Sequence, residues 1–285
     1  MILITGATGN NGKEVVRLLA EAGIPARALV RDKAKAADLN WPGIEKVEGD
    51  LTQPESLRPA LRGIEKAFLL TPYAPDQVGM QTGFISAAKR AGVQHIVKFS
   101  GMSADANSSV GIFRQHGEIE RNLEASGLAY THLRPTSFMQ NFLSSAATVA
   151  QGALYAPMAE ARANFVDVRD IAAVAFRALT EPGHEGKAYD ITGPEALTHA
   201  EIAERFGKAT DRPVAYIAVT PEQYKSSLMQ AGVPEWMADG LNELYAAYRD
   251  GAADCVTDTV SRVGGKTPIT FQQFAEDHAR LFQAA

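Results

Sequence analysis

The chain has 285 residues, 46% of them hydrophobic, which is enough to bury a core in one large domain or two modest ones. Acidic residues (33) outnumber basic ones (28), and the net charge of −5 is spread along the sequence, so no basic tract offers itself to nucleic-acid phosphates and no direct nucleic-acid partner is expected. The lone Cys255 excludes an internal disulfide and a multi-cysteine metal site, and no metal is expected. An apolar strand pattern already under way at Ile2 leaves no room for a secretory leader, and no apolar run approaches the ~18 residues needed to span a bilayer, so the expectation is a cytoplasmic protein without a membrane partner.

Taken in chain order, short apolar runs alternate with longer amphipathic stretches. Strands are predicted at Ile2 to Thr5, Ala26 to Val30, Ile44 to Glu48, Ala67 to Leu70, His95 to Phe99 and Tyr130 to Leu133. Helices are predicted between them at Lys13 to Ala22, Lys33 to Leu39, Pro54 to Leu61, Gln77 to Ala91 and Ile112 to Ala125. Gly23, Gly92 and Gly127 stand where a helix must stop and a strand begin. Strands separated by helices of this size imply right-handed crossovers, a parallel sheet and helices on both faces: a doubly wound α/β domain of the Rossmann type.

After Arg134-Pro135 the rhythm loosens. A short helix is predicted over Phe138 to Ala147, a strand over Ala153 to Ala156, and one more helix and strand of the sheet over Val166 to Leu179 and Ala188 to Thr192. Beyond Thr198 the pattern is mostly helical: Ala200 to Ala209, a strand over Val214 to Val219, then Pro221 to Ala231, Glu235 to Tyr248 and Phe271 to Phe282. The organisation expected is a nucleotide-binding domain over 1–150, completed by a later contribution from about 164–194, and a smaller helix-rich substrate domain over 151–285.

The strongest motif opens the chain. Gly6-Ala7-Thr8-Gly9-Asn10-Asn11-Gly12 runs from an apolar strand directly into a helix. Gly6 permits the sharp turn, Gly9 lets backbone amides approach a diphosphate, and Gly12 allows close packing of helix on strand, with the anion on the positive helix N-terminus. The end of the second strand then selects the cofactor. A chain built for NAD usually places an acidic residue there, on the ribose 2′-hydroxyl, whereas this chain reads Val30-Arg31-Asp32. Arg31 can fork onto a 2′-phosphate and Lys35 can add charge, so NADP(H) is the expected cofactor. NAD(H) stays open, because Asp32 could take the ribose while Arg31 is merely solvated. Asp50 and Leu51 close the third strand beside the expected adenine, Asp50 being equally suited to capping the next helix, and Leu70, Thr71 and Pro72 close the fourth strand under the cofactor's course.

One absence bears on mechanism. Many sheet-based reductases protonate a carbonyl oxygen with a tyrosine whose pKa is lowered by a lysine four residues later, and no tyrosine of this chain has that lysine. Acceptors that tolerate hydride without such a donor, quinones and cationic dyes among them, are therefore favoured.

The glycine loop and Arg31, with Ala91-Gly92-Val93-Gln94-His95-Ile96-Val97, Glu120, Ser126 through Pro135 and Asn141-Phe142, resemble the NmrA-like branch of the atypical short-chain dehydrogenases/reductases. The recognisable motifs cover roughly residues 1 to 195, and the remainder is similar only in its helical character. The resemblance is greatest to short-chain quinone oxidoreductases and triphenylmethane dye reductases of that branch. It implies an NAD(P)H-dependent oxidoreductase that passes hydride directly to a small aromatic or quinone-like acceptor. The benzylic ether and isoflavone reductases of the branch use a helix lysine that Phe113 through Glu120 lacks, which disfavours that activity. The branch also contains NADP(H)-sensing regulators without turnover, which is the alternative function, whereas a sugar-nucleotide epimerase would need the missing Tyr/Lys pair. A homodimer is left open.

On this placement His116 is the candidate catalytic group, able to polarise an acceptor oxygen or deliver a proton, the alternative being a polar helix face or a substrate-orienting contact. Ser100, Pro135 and Thr136 follow the fifth and sixth strands and are expected along the cofactor trough. Phe138, Met139, Asn141 and Phe142, with Tyr73 and Met102, are expected around a flat acceptor, each weighed against plain core packing.

Overall fold

The computed structural model describes residues 1–283. Its strands are β1 (Ile2–Ile4), β2 (Ala26–Val30), β3 (Ile44–Glu48), β4 (Lys66–Leu69), β5 (His95–Phe99), β6 (Ala129–Pro135), β7 (Ser137–Phe138), β8 (Ala153–Ala156), β9 (Ala163–Val166), β10 (Lys187–Ile191), β11 (Ala196–Leu197) and β12 (Ala215–Ala218). Seven of them form a parallel sheet in the order β10-β6-β5-β4-β1-β2-β3. From β1 the chain winds outward to β2 and β3, then returns to lay β4 on the other side of β1. The reversal leaves a crevice at the carboxyl ends of β1 and β4, the place where open α/β sheets bind ligands.

The helices are α1 (Asn10–Glu21), α2 (Arg58–Leu61), α3 (Gln77–Ala91), α4 (Gly111–Ala125), α5 (Ala146–Ala150), α6 (Val168–Thr180), α7 (His199–Thr210), α8 (Pro221–Gln230), α9 (Glu235–Arg249), α10 (Thr259–Arg262) and α11 (Phe271–Asp277). Strand alternation divides the core in two. Ile2 and Ile4 pack with Val15, Val16 and Leu19 of α1 and with Ile171 and Val174 of α6. Leu3, Leu69 and Ile96 point the other way, onto Phe84 and Ile85 of α3 and Ile119 and Leu123 of α4. Each such buried side chain contributes about 1.5–3 kcal/mol. Gly23, Gly92 and Gly127 hold φ values of +67°, +82° and +78°, the left-handed turns that release each helix into the next strand.

A second core, built on Met139, Phe142, Phe165, Phe206, Phe271 and Phe274, underlies the C-terminal elements. The hairpin of α8 and α9 is more lightly held: no residue of α8 is buried, and only Ala238 and Tyr248 of α9 are. No helix among the described residues is long and apolar enough to cross a membrane.

Several elements depart from the sequence-based expectation. The helix predicted over Lys33 to Leu39 is only a 3-10 turn at Ala37–Leu39, because Asp32 Oδ1 accepts from the Ala34 amide at 2.9 Å and Glu48 Oε1 from the Lys33 amide at 3.2 Å, diverting the donors a helix would use. The stretch Pro54 to Leu61 is a 3-10 turn followed by the single turn α2. The helix expected over Phe138 to Ala147 is instead β7, a 3-10 segment (Met139–Ser145) and the start of α5. The final helix ends at Asp277 rather than Phe282. A three-stranded sheet, β11-β9-β7, was not anticipated, since Val166 reads equally well as the start of the following helix.

Candidate functional site

The glycine loop lies at the sheet's reversal point. Thr5 Oγ1 donates to the Leu70 carbonyl at 2.7 Å and accepts from the Leu70 amide at 2.8 Å, tying the ends of β1 and β4 together beside the loop. Gly6 has φ +61°, and a Cβ there would stand 2.9 Å from Leu70 Cγ. A Cβ on Gly12 would lie 2.2 Å from the Gly6 carbonyl oxygen, so α1 must begin against the loop's own backbone. Gly9 differs: its φ is −83°, and the nearest atom to an added Cβ is 3.5 Å away. Nothing in the protein requires glycine at that position, which is where a bound anion would need the space.

Two further properties of this loop fit a nucleotide diphosphate. Helix α1 starts with no side-chain cap and no acidic residue in its first turn, leaving its N-terminal amides free. Thr8, Gly9 and Asn10 are exposed around it while Ala7 and Asn11 are buried. These residues would hold the diphosphate of a dinucleotide cofactor.

Arg31 is exposed past β2, and Lys35 is exposed with its Nζ 3.8 Å from Asp32. Asp32 spends a carboxylate oxygen on the Ala34 amide, which weakens its claim on a ribose and leaves Arg31 the freer group. Asp50 Oδ1 accepts from the Thr52 amide, and that bond, ahead of a smaller effect of Arg31, lowers its pKa. Leu51 and Leu70 are half-buried and Pro72 is exposed.

Between the sheet and α4 lies a polar network absent from the sequence-based expectation. Lys98 on β5 and Ser100 just past its end follow Ile96 on the α4 face; on β6, His132 and Arg134 follow Tyr130 on the same face. His116, Glu120 and Glu124 recur at helical spacing and bring one stripe of α4 onto these strands. Glu120 accepts from Ser100 Oγ at 2.5 Å and from Arg134 Nε and Nη2 at 3.0 and 2.5 Å. Burial pushes the Glu120 pKa upward, but the Arg134 guanidinium and Ser100 outweigh it and hold the carboxylate below its usual range. His132 Nε2 lies 3.0 Å from Glu124 Oε1, and burial lowers its pKa.

Lys98 is wholly buried, with its Nζ 3.1 Å from the Phe99 carbonyl and 3.0 Å from His116 Nδ1. Burial brings its pKa down to about 7, with Glu120 opposing the shift and Arg134 reinforcing it. His116 is pushed well below the ordinary imidazole range, by burial first and by Lys98 second. The expectation that His116 itself titrates near neutrality is therefore corrected: its ring stays neutral, and the group poised near pH 7 is the lysine behind it. The interior charge in the otherwise apolar run of β5 was the signal that could have found it.

Other expected site residues are placed elsewhere. Met139 and Phe142 belong to the second core, Phe142 meeting Phe165 and Phe271 edge-on at 5.0 and 5.1 Å, so they form no acceptor wall. Phe138 packs edge-on against Phe99, and Asn141 is exposed. Ser100 turns its hydroxyl inward to Glu120 rather than into the trough. Thr71 is buried and accepts from Gln81 Nε2; Thr136 is buried with its hydroxyl 3.4 Å from Asn164 Oδ1. Pro135 is buried and its carbonyl accepts from the Met102 amide. Tyr73 packs at a tilt on Trp236 of α9, ring centroids 5.3 Å apart, and Met102 Sδ lies 3.5 Å from Cys255 Sγ, so both sit where the C-terminal elements meet the sheet's carboxyl edge. Glu243 of α9 reaches the same rim and accepts from the Gly111 amide at the start of α4.

Residues 1–275 match the NmrA-like family. The chain belongs to that family. It is 48% identical, over the whole of both chains, to an NAD(P)H azoreductase of Xenophilus azovorans. The crystal structure of the NADPH-dependent quinone oxidoreductase QOR2 of Escherichia coli complexed with NADPH superposes with a TM-score of 0.89 at 30% identity, covering 97% of this chain and 99% of that one. The Citrobacter triphenylmethane reductase complexed with NADP(H) gives 0.87 at 28% identity, with 98% and 100% covered. The Rossmann-like α/β fold expected from the alternation of elements is thus shared with nucleotide-dependent reductases over their full length.

Proposed function

We propose that this protein is an NADP(H)-dependent oxidoreductase that reduces quinones, azo compounds or similarly conjugated aromatic acceptors. The observation that carries the reading is the open glycine loop at the sheet's reversal point, with a position, Gly9, that the protein itself does not require to be glycine. Similarity to an azoreductase, a quinone oxidoreductase and a triphenylmethane reductase supplies the acceptor class. Bound NADPH supplies a hydride.

The residues around the trough divide the remaining work. The loop and the uncapped start of α1 anchor the diphosphate, and Arg31, aided by Lys35, favours the 2′-phosphate. Tyr73, Trp236 and Met102 border the opening over the carboxyl edge, where an aromatic acceptor would lie. With no lysine four residues after any tyrosine, the hydride passes to the acceptor without a Tyr/Lys pair.

The test mixes purified protein with NADPH and a panel of quinones, azo dyes and cationic triarylmethane dyes, following loss of NADPH absorbance. Turnover with at least one class is expected. Tight NADPH binding with no oxidation by any acceptor would instead support the sensor.

A further inference from the structure

A buried lysine near the carboxyl end of an interior strand is costly, because an ammonium ion without water must be compensated and a Leu or Met would pack there at no such cost. Compensating Glu120 does not explain Lys98. Glu120 already has two hydrogen bonds from Arg134 and one from Ser100, and Lys98 makes none to it. Among the described residues, the hydrogen-bond partners of Lys98 Nζ are the Phe99 carbonyl and His116 Nδ1.

That second bond fixes the imidazole. A charged Lys98 can only donate, so in that state Nδ1 accepts and the ring's proton resides on Nε2. The Nε2 edge faces Gly101, just past the carboxyl end of β5: a Cβ on Gly101 would stand 3.0 Å from His116 Cδ2 and 3.5 Å from Nε2. Glycine there lets the backbone pack on the ring's outer edge without a side chain covering it, on the side where ligands bind. A buried proton store and a two-nitrogen ring whose outer edge meets only a glycine at the sheet's carboxyl end therefore stand in line.

We infer that Lys98 and His116 form a proton relay to the acceptor, in which His116 Nε2–H protonates the reduced acceptor while Lys98 Nζ restores a proton to His116 Nδ1. The inference rests on the reductase reading. In balance, a quinone takes a hydride from NADPH and a proton from His116, giving hydroquinone and NADP⁺ and leaving Lys98 neutral. The relay resets when water protonates Nε2 after product leaves and the Nδ1 proton returns to Lys98. His116 alone could not supply this proton, because its neutral ring is a very weak acid unless a second proton enters from behind. Lys98 is thus a positioning residue that acts through His116. The charged and titratable groups facing it are His116 and Glu120 from α4 and His132 and Arg134 from β6.

The chemistry of two acceptor classes separates this role from a structural one. A quinone or azo bond needs a proton as well as a hydride, whereas a triarylmethane cation is neutralised by hydride alone. Single-turnover rates of the NADPH complex are measured from about pH 6 to about pH 8.5 with one quinone and one cationic dye. The quinone-to-dye ratio should fall as pH rises past about 7, where Lys98 loses its proton. Lys98→Met should lower that ratio at pH 6 by about tenfold or more and remove its pH dependence. A readout independent of turnover is the side-chain NMR titration of cofactor-free protein carrying isotope-labelled lysine: one resonance should titrate near neutrality and vanish in Lys98→Met. A wild-type ratio flat with pH, an unchanged ratio in Lys98→Met, or no neutral-titrating lysine would each overturn the relay. Should Lys98→Met fail to fold, the wild-type ratio and lysine titration still decide. Failure of the wild type to oxidise NADPH with any acceptor sinks the reductase reading itself, and is distinct from these outcomes.

Discussion

The three glycines of the opening loop are there for different reasons, and alanine at two of them should separate the fold from the ligand. At Gly12 an added methyl would meet the Gly6 carbonyl oxygen at 2.2 Å, its carbonyl carbon at 2.7 Å and Ala7 Cα at 2.9 Å, all backbone atoms with no rotamer to escape into. Relief needs a shift of about 1 Å for a carbon–oxygen contact that normally sits near 3.3 Å. Overpacking of this kind costs about 1–3 kcal/mol, which for a chain of this size lowers Tm by several degrees at about 2–4 °C per kcal/mol. At Gly9 the same methyl finds 3.5 Å of room, and φ of −83° suits alanine, so the cofactor-free protein should lose less than about 1 kcal/mol, chiefly from a poorer helix N-cap. If a diphosphate lies against Gly9, however, that methyl displaces it and weakens NADPH binding by at least about tenfold, or about 1.4 kcal/mol. The assay pairs thermal melting of cofactor-free protein with fluorescence titration of NADPH. Gly9→Ala with wild-type affinity, or Gly12→Ala with wild-type Tm, would refute the reasoning.

Arg31→Ala should weaken NADPH binding by about tenfold or more and NADH binding little, as a charged hydrogen bond to phosphate is worth about 1.5–3 kcal/mol; equal loss for both, by titration, places the discrimination elsewhere. Glu120→Gln leaves Arg134 without its carboxylate and should cost about 2–3 kcal/mol in urea unfolding at neutral pH. Because the Glu120 pKa is lowered on folding, its contribution is present above about pH 4.5 and is lost as pH falls through the folded value, so variant and wild type should converge in acid. His199 is buried with both ring nitrogens unpartnered, among Phe142, Phe165 and Tyr216, and burial lowers its pKa from 6.5 to about 4. The unfolded chain binds a proton in that window and the folded chain does not, so stability falls as pH drops from about 6.5 toward 4. His199→Phe should make Tm less sensitive to acid, and the same Tm change from about pH 8 to about pH 5 in variant and wild type would count against this account.

What could be read from the sequence depended on how local its physical cause was. Strands β2, β3, β5 and β8 and helix α3 have the bounds expected from their runs, because apolar spacing and the glycine stops act within a few residues. Gly6 and Gly12 were legible for the same reason: a strand-to-helix turn constrains them whatever surrounds it. The aromatic residues after β6 were not. Phe138 and Phe142 suit a flat ligand and a packed core equally, and only the arrival of β9, α7 and α11 from distant sequence commits Phe142 to the core.

The polar network shows the same limit at the site itself. His116, Glu120 and Glu124 declare a stripe of α4, and Lys98, Ser100, His132 and Arg134 occupy alternate positions on two strands, but neither pattern says that the two faces meet. Their meeting gives each group its chemistry. Next to water Lys98 would be an ordinary ammonium and His116 an ordinary titrating imidazole; pressed between sheet and helix, the lysine approaches neutrality and the histidine is held well below its usual range. The residue type suggested His116 as the proton donor, whereas burial transfers the proton-holding role to a lysine on another element. Sequence therefore locates the ring at the rim, and only the packing reveals where its proton must come from.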